Sequence, residues 1–188
     1  MKQSTAVTTE LPWQCLGSEV VHSTPWFEVR TDAVVRPDGS PGTYQRVVSP
    51  GAVTVLAVDD QRRVTITRQW IYTHGATQWR LPGGGIDPTD ESPLDAAKRE
   101  LAEETGLGAE NWSLIGRINC ADSLSDHVDH LFLATGLIPG CSTPGPDEAD
   151  LRVFELAFDD ALTLAVNGQI PHAGSAHALV MFATRNSS

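Results

Sequence analysis

The stretch that decides the fold is residues 85–107, Gly85-Ile86-Asp87-Pro88-Thr89-Asp90-Glu91-Ser92-Pro93-Leu94-Asp95-Ala96-Ala97-Lys98-Arg99-Glu100-Leu101-Ala102-Glu103-Glu104-Thr105-Gly106-Leu107. Ser92 is a natural N-cap, Pro93 suits the first helical position, Asp95 can close a capping box and Gly106 supplies the C-terminal stop, so a helix is predicted over 93–104. On that helix Glu100, Glu103 and Glu104 stand at i, i+3 and i+4 and project from one face. Like charges at this spacing destabilise a helix by about 0.2–0.5 kcal/mol per pair. Glu103 and Glu104 also crowd the C-terminal end, where the helix dipole disfavours anions. A hard divalent cation resolves the conflict, because carboxylate and carbonyl oxygens are the ligands that Mg²⁺ or Mn²⁺ prefers.

Outward from this helix the chain reads as strands with interspersed helices. Residues 26–36 and 43–49 are β-rich runs joined by Pro-Asp-Gly-Ser-Pro-Gly, which is a hairpin signal. A second hairpin is expected from 52–58 to 64–70, with a short strand at 78–81 before the Pro-Gly-Gly-Gly turn. Further strands are predicted at 113–120, 129–135 and 151–156, and helices at 159–167 and 175–185. Trp70 and Trp79, at strand positions, read as core residues. Hairpins rather than regular βαβ units point to an α/β sandwich around a mixed sheet, with an N-terminal antiparallel β subdomain beside it.

Composition narrows the function. The 188 residues are 40% hydrophobic and 20% charged, enough for one sizeable core, and carry a net charge of −11 from 24 acidic and 13 basic residues. The overall field repels nucleic acid and anionic membranes, so neither is expected as a partner. A polyanionic ligand would have to be met locally, by a few arginines or by a cation held on carboxylates. No apolar run approaches the roughly 20 residues that cross a bilayer. The N-terminal stretch lacks the apolar core of a secretory signal, and a cytoplasmic location is expected. Three cysteines, Cys15, Cys120 and Cys141, form no CxxC pair and read as small unpaired thiols.

With its flanks, the segment reads Gly85, five residues, Glu91, seven residues, Arg99-Glu100-Leu101, Ala102, Glu103-Glu104, Thr105, Gly106-Leu107. This resembles the Nudix box in full, G-x5-E-x7-R-E-U-x-E-E-x-G-U with U a bulky aliphatic residue. The resemblance implies an α/β/α sandwich and hydrolysis of a nucleoside diphosphate linked to another moiety by water attacking a phosphorus. It also implies metals, Mg²⁺ with Mn²⁺ as substitute, held by Glu100, Glu104 and often Glu103, with the backbone carbonyl of Gly84 as a further ligand. Arg99 is expected to orient the carboxylates and Glu91 to tether the loop to the helix. The organisation expected is a flexible 1–18 followed by a single Nudix hydrolase domain over 19–188, of which 19–50 is the N-terminal β subdomain.

Residues 64–70 and 79–87 are similar to the ADP-ribose pyrophosphatase branch of that family, which implies a nucleotide-sugar substrate, ADP-ribose or another, and a homodimer built on the 19–49 segment with its Val20, Val21, Val34, Val35, Val47 and Val48. The chain departs from that branch where Ile71 follows Arg68-Gln69-Trp70, where Arg80 precedes Leu81, and at Ala121-Asp122-Ser123 after the box. The catalytic base in this branch is often an acidic residue on a loop after the box. Here the Pro- and Gly-rich 137–150 offers Asp147, Glu148 and Asp150, with Glu148 the first choice and Glu103 a second catalytic candidate. Trp26 is the candidate for stacking on a base, and Arg46 and Arg68 for meeting phosphate. His127 and His130 read as surface or packing residues. Two other functions fit the same fold: a non-catalytic nucleotide-sensing module and a house-cleaning nucleoside triphosphate pyrophosphohydrolase.

Overall fold

A computed structural model describes residues 12–143 and 145–185. They fall into two compact units, one holding the chain up to Ser49 together with Ala121–Asp126, the other Pro50–Cys120 with the chain from His127 on.

The first unit is an antiparallel sheet of β1 (Gln14–Ser23), β2 (Glu28–Val35) and β3 (Pro41–Val48), in that order. Residues 1–11 of the expected flexible tail lie outside the described residues. Residues 14–18 of it are not loose but paired, with Gln14 opposite Val35 and Cys15 opposite Val34. The β2–β3 hairpin forms across the Pro-Asp-Gly-Ser turn, where the Asp38 carboxylate accepts from the Ser40 backbone N–H at 2.9 Å. A short mid-chain segment joins this unit by local bonds: the Val47 N–H donates to the Leu124 carbonyl at 2.9 Å and the Tyr44 hydroxyl to the Ser123 carbonyl at 2.8 Å.

The second unit holds two three-stranded sheets and three helices. β4 (Ala52–Ala57) pairs in parallel with β8 (Val128–Pro139), which pairs antiparallel with β7 (Leu107–Asn119). β5 (Arg63–Ile71) lies between β6 (Ala76–Arg80) and β9 (Arg152–Ala157), antiparallel to both. The expected hairpin from 52–58 to 64–70 therefore does not form; only an isolated bridge joins Val58 to Val64. The reason is legible in β4, apolar but for Thr54 and buried on both faces, as strands of a parallel pair are, rather than an alternating hairpin arm. Trp79 packs against the core as expected, whereas Trp70 points to solvent from the outer part of β5.

The helices cover β4 from both sides. Leu56 with Val64, Ile66, Leu131, Phe158, Ile170 and Leu179 builds one core, against α2 (Phe158–Val166) and α3 (Ala173–Arg185). Val53, Val55 and Ala57 meet Ala96, Ala97 and Leu101 of α1 (Pro93–Thr105) in the other. This is the α/β sandwich with a mixed sheet expected from the sequence. Ser92 caps α1, accepting from the Asp95 N–H at 3.3 Å while its hydroxyl donates to Asp95 Oδ2 at 2.6 Å. Gly106 ends the helix in the left-handed region at φ 72°, with its N–H on the Ala102 carbonyl. Among the described residues no helix is long and apolar enough to cross a membrane.

Leu101 is wholly buried and fixes the turn of α1 that carries Glu100 and Glu104. Leu101→Ala loses that burial and leaves a cavity, so urea denaturation should show a loss of about 2–5 kcal/mol. A loss below about 1 kcal/mol would contradict the assignment of Leu101 to a close-packed core.

Candidate metal centre and active site

The chain after β6 runs alongside β4 without forming a strand. The Val55 and Val53 N–H groups donate to the carbonyls of Pro82 and Gly84 at 2.8 and 2.9 Å, and Ala52 bridges to Gly85. At Gly83 the backbone lies so close to the Val53 carbonyl that a Cβ would collide, and φ is 150°. Glycine alone fits there. That turn directs the Gly83 N–H onto Glu104 Oε2 at 3.1 Å. Gly84 is pressed against the next carboxylate, since a Cβ on it would stand 2.6 Å from Glu100 Oε1. A Gly-Gly pair thus forms the floor under two glutamates of α1.

Arg99 organises the same helix face from the side. Its Nε and Nη2 bond both oxygens of Asp90 at 3.1 and 2.9 Å, Nη2 also reaches the Gly85 carbonyl at 3.0 Å, and Nη1 reaches Glu100 Oε1 at 2.8 Å and Glu103 Oε2 at 3.1 Å. The loop-to-helix tether is therefore Asp90, with its carboxylate almost fully covered, while Glu91 faces solvent. Sequence reasoning passed over Asp90 because nine residues from Arg99 is no helical spacing. The signal available was the Asp87–Asp90 turn, where Asp87 accepts from the Thr89 N–H and Asp90 from the Asp87 N–H, both at 2.8 Å.

The third carboxylate comes from the loop after β8. Glu148, in a single 3₁₀ turn over Pro146–Glu148, brings a carboxylate oxygen into a group with those of Glu100 and Glu104, all within 4.8 Å of one another. The loop is pinned at both ends: the Thr143 N–H donates to the Glu103 carbonyl at 3.0 Å, and the Trp70 N–H to Asp150 Oδ2 at 2.8 Å. Gln69 Nε2 adds a bond to the Asp147 carbonyl at 3.2 Å. Asp150 thus anchors the loop that presents Glu148.

The other residues singled out from the sequence lie as follows. Glu103 is part-exposed on Arg99 and stands outside the carboxylate group, which takes Glu148 as its third member. The Gly84 carbonyl accepts from Val53. Arg68 lies over the Trp79 ring, its guanidinium carbon 5.3 Å from the centroid. In the first unit, Arg46 bonds Asp32 at 2.7 Å and reaches Asp126 at 3.4 Å, and Trp26 has 74% of its surface exposed. His130 accepts from Arg117 Nε at 3.3 Å. Cys15, Cys120 and Cys141 are exposed free thiols.

Residues 48–171 match the family model described as NUDIX domain, and residues 13–47 the one described as nucleoside diphosphate sugar hydrolase N-terminal domain. The chain belongs to the Nudix hydrolase family. It is 33% identical over 162 residues to an ADP-ribose pyrophosphatase of Mycobacterium tuberculosis, covering 86% of this chain and 78% of that protein. To an ADP-ribose pyrophosphatase of Bacillus subtilis it is 29% identical over 165 residues, 87% of this chain and 89% of that one. A crystal structure of an ADP compounds hydrolase shares the fold with a TM-score of 0.79 at 22% identity, covering 93% of this chain and 94% of that one.

Nudix hydrolases need a divalent metal, and the donor set here fits one: carboxylate oxygens only, two of them buried, converging over a glycine floor. Burial, then the neighbouring Glu100 and Glu148 charges, pushes the Glu104 carboxyl up to about 8 against the Gly83 hydrogen bond, and burial raises Glu100 as well. A cation removes the cause by supplying the missing counter-charge. Without it the consequence for stability has a definite sign. A carboxyl raised in the folded protein favours folding fully below its unfolded value of 4.5, and that contribution is lost as pH rises through about 8. In the metal-free protein Glu104→Gln, which cannot ionise, should melt above the wild type at about pH 8.5, with the gap narrowing as pH falls from about 8 and closing only near about 4.5. Thermal melts in EDTA check this, and a gap independent of pH would contradict it.

Proposed function

We propose that this Nudix hydrolase cleaves the diphosphate of a nucleoside diphosphate-sugar, with ADP-ribose the first substrate, giving AMP and ribose 5-phosphate. The observation that carries the reading is the convergence of Glu100, Glu104 and Glu148 over Gly83 and Gly84. The N-terminal match to nucleoside diphosphate sugar hydrolases and the names of the two relatives support the substrate class. A pure sensing module would have no use for a complete set of metal-holding carboxylates.

Glu100 and Glu104, with the Gly84 carbonyl, would hold Mg²⁺, and Glu103 stands by on Arg99. A bound divalent ion supplies charge neutralisation at the diphosphate oxygens and at the leaving phosphate. The remaining work falls to the chain. Glu148, on a loop rather than on α1, takes the proton of the water that attacks phosphorus, and the Asp150–Trp70 bond holds the loop so that it can. Arg99 keeps Glu100 in one rotamer by bonding it, Asp90 and the Gly85 carbonyl at once. Trp26, whose ring is open to solvent, is the proposed stacking surface for the base, and Arg46 and Arg68 remain proposed phosphate contacts.

The working form proposed is a homodimer in the cytoplasm. β1 is exposed along all ten residues and presents Leu16, Val20 and Val21 to solvent on an open sheet edge, while Val34, named beside them from the sequence, is buried. Light scattering at micromolar concentration should return a dimer mass, and a fully active monomer would contradict it.

The substrate reading is tested on a nucleotide-sugar panel with Mg²⁺ and Mn²⁺. AMP and ribose 5-phosphate should appear from ADP-ribose, and Glu104→Gln and Glu148→Gln should each lower kcat by about 10²–10⁴. Release of inorganic diphosphate from nucleoside triphosphates, with no product from any nucleotide-sugar, would contradict it.

A further inference from the structure

Arg80 stands apart from the other arginines in having no bonded partner for its guanidinium among the described residues. It closes β6, with its carbonyl accepting from Thr67 Oγ1 at 3.3 Å. The chain then enters the glycine floor: the Leu81 N–H is held by Ser175 Oγ at 2.9 Å and the Gly83 N–H by Glu104. The Arg80 guanidinium is largely buried and feels the carboxylates of Glu104 and Asp129, yet among the described residues it makes no hydrogen bond, ion pair or ring contact. Each of the other ten arginines is engaged, as Arg99 is with Asp90, Arg46 with Asp32, Arg63 with Asp59 and Arg68 with Trp79.

A desolvated guanidinium without a partner is costly, because it has lost water without gaining an acceptor. Asp129 does not close the gap. It is 1% exposed, its Oδ2 takes the Thr54 hydroxyl at 2.8 Å, and its Oδ1 finds no hydrogen-bond partner among the described residues. Asp129 is further hemmed in by Gly174, where a Cβ would collide with its carboxylate. The carboxyl groups of Glu104 and Asp129 attract the Arg80 cation without consuming its donors.

The charge of the site asks for such a group. Glu100, Glu104 and Glu148 are three acidic side chains in a chain of net charge −11, and a diphosphate adds further negative charge to them. Arg99 cannot answer, because its donors are spread over Asp90, Gly85, Glu100 and Glu103. A guanidinium offers phosphate oxygens a planar fork of parallel N–H bonds that a lysine does not.

We propose that Arg80 binds the diphosphate of the substrate beside Glu104, donating its free N–H groups to phosphate oxygens. This rests on the hydrolase reading in taking the ligand to be a diphosphate. It makes Arg80 a substrate-binding residue and gives Asp129 a positioning role through its charge.

The probe is inorganic diphosphate with Mg²⁺, followed by calorimetric titration. A charge-assisted pair lost at Arg80→Gln should weaken binding by about tenfold or more, with Arg80→Lys in between. A rise in melting temperature given by Mg²⁺ alone should persist in both variants, which a general loss of structure would not leave intact. On the wild type, phenylglyoxal labelling mapped by mass spectrometry should slow several-fold at Arg80 in saturating Mg²⁺-diphosphate. That arm decides the matter if Arg80→Gln does not fold. Wild-type affinity in Arg80→Gln, no diphosphate binding by the wild type, or labelling of Arg80 unaffected by diphosphate would each overturn the proposal and leave Arg80 as a counter-charge to Asp129. If no nucleotide-sugar is hydrolysed while diphosphate binding still depends on Arg80, the substrate reading fails and this one stands.

Discussion

One guanidinium holds the site in register. Arg99 joins the Asp87–Asp90 turn, the Gly85 carbonyl and two glutamates of α1 through five bonds of 2.8–3.1 Å. Because Arg99 lies on the helix while Asp90 and Gly85 lie on the loop before it, the bonds fix how the loop enters the helix. They consequently fix where the Gly83–Gly84 floor meets Glu100 and Glu104. The guanidinium is only part-covered, but the carboxylates of Asp90 and Glu100 that it binds are nearly buried, so the network keeps much of its strength in salt. Replacing the arginine by lysine would keep one charge and lose the geometry.

Around that anchor the fold does two opposed things. It buries Glu100 and Glu104 on the same helix face as Leu101, Ala96 and Ala97, and it swings Glu148 in from a loop to join them. In a metal-free chain this is unfavourable on balance, since burial and mutual repulsion disfavour the charged carboxylates more than the Arg99 and Gly83 bonds favour them. The cost is tolerated because close-packed cores lie on both faces of β4, and on the proposed reading a bound divalent cation offsets it.

Much of this was legible in the sequence. The capping residues Ser92 and Gly106 and the spacing of Glu100, Glu103 and Glu104 place α1 and its acidic face to within a residue, because those signals are local. Pairing between distant segments was less so: the 52–58 run reads as a hairpin arm by proximity to 64–70, and only its lack of polar alternation, broken at Thr54 alone, marks it as the partner of β8. Asp90 escaped notice because a loop carries no periodicity. Of the acidic residues on 137–150, the pattern offered Asp147, Glu148 and Asp150, with Glu148 the first choice. The bond that sets Asp150 apart as an anchor, from the Trp70 N–H, reaches a hairpin 80 residues away in sequence, and no local rule contains that.

On the proposed reading α1, the glycine floor and the 146–148 turn together form one cation site. Anomalous diffraction from crystals soaked in Mn²⁺ checks this. A manganese peak is expected in contact with Glu100 and Glu104, with Gly84 and Glu148 bordering it. A protein that takes Mn²⁺ only at exposed carboxylates such as Glu91 or Glu103, with no density between Glu100 and Glu104, would contradict it.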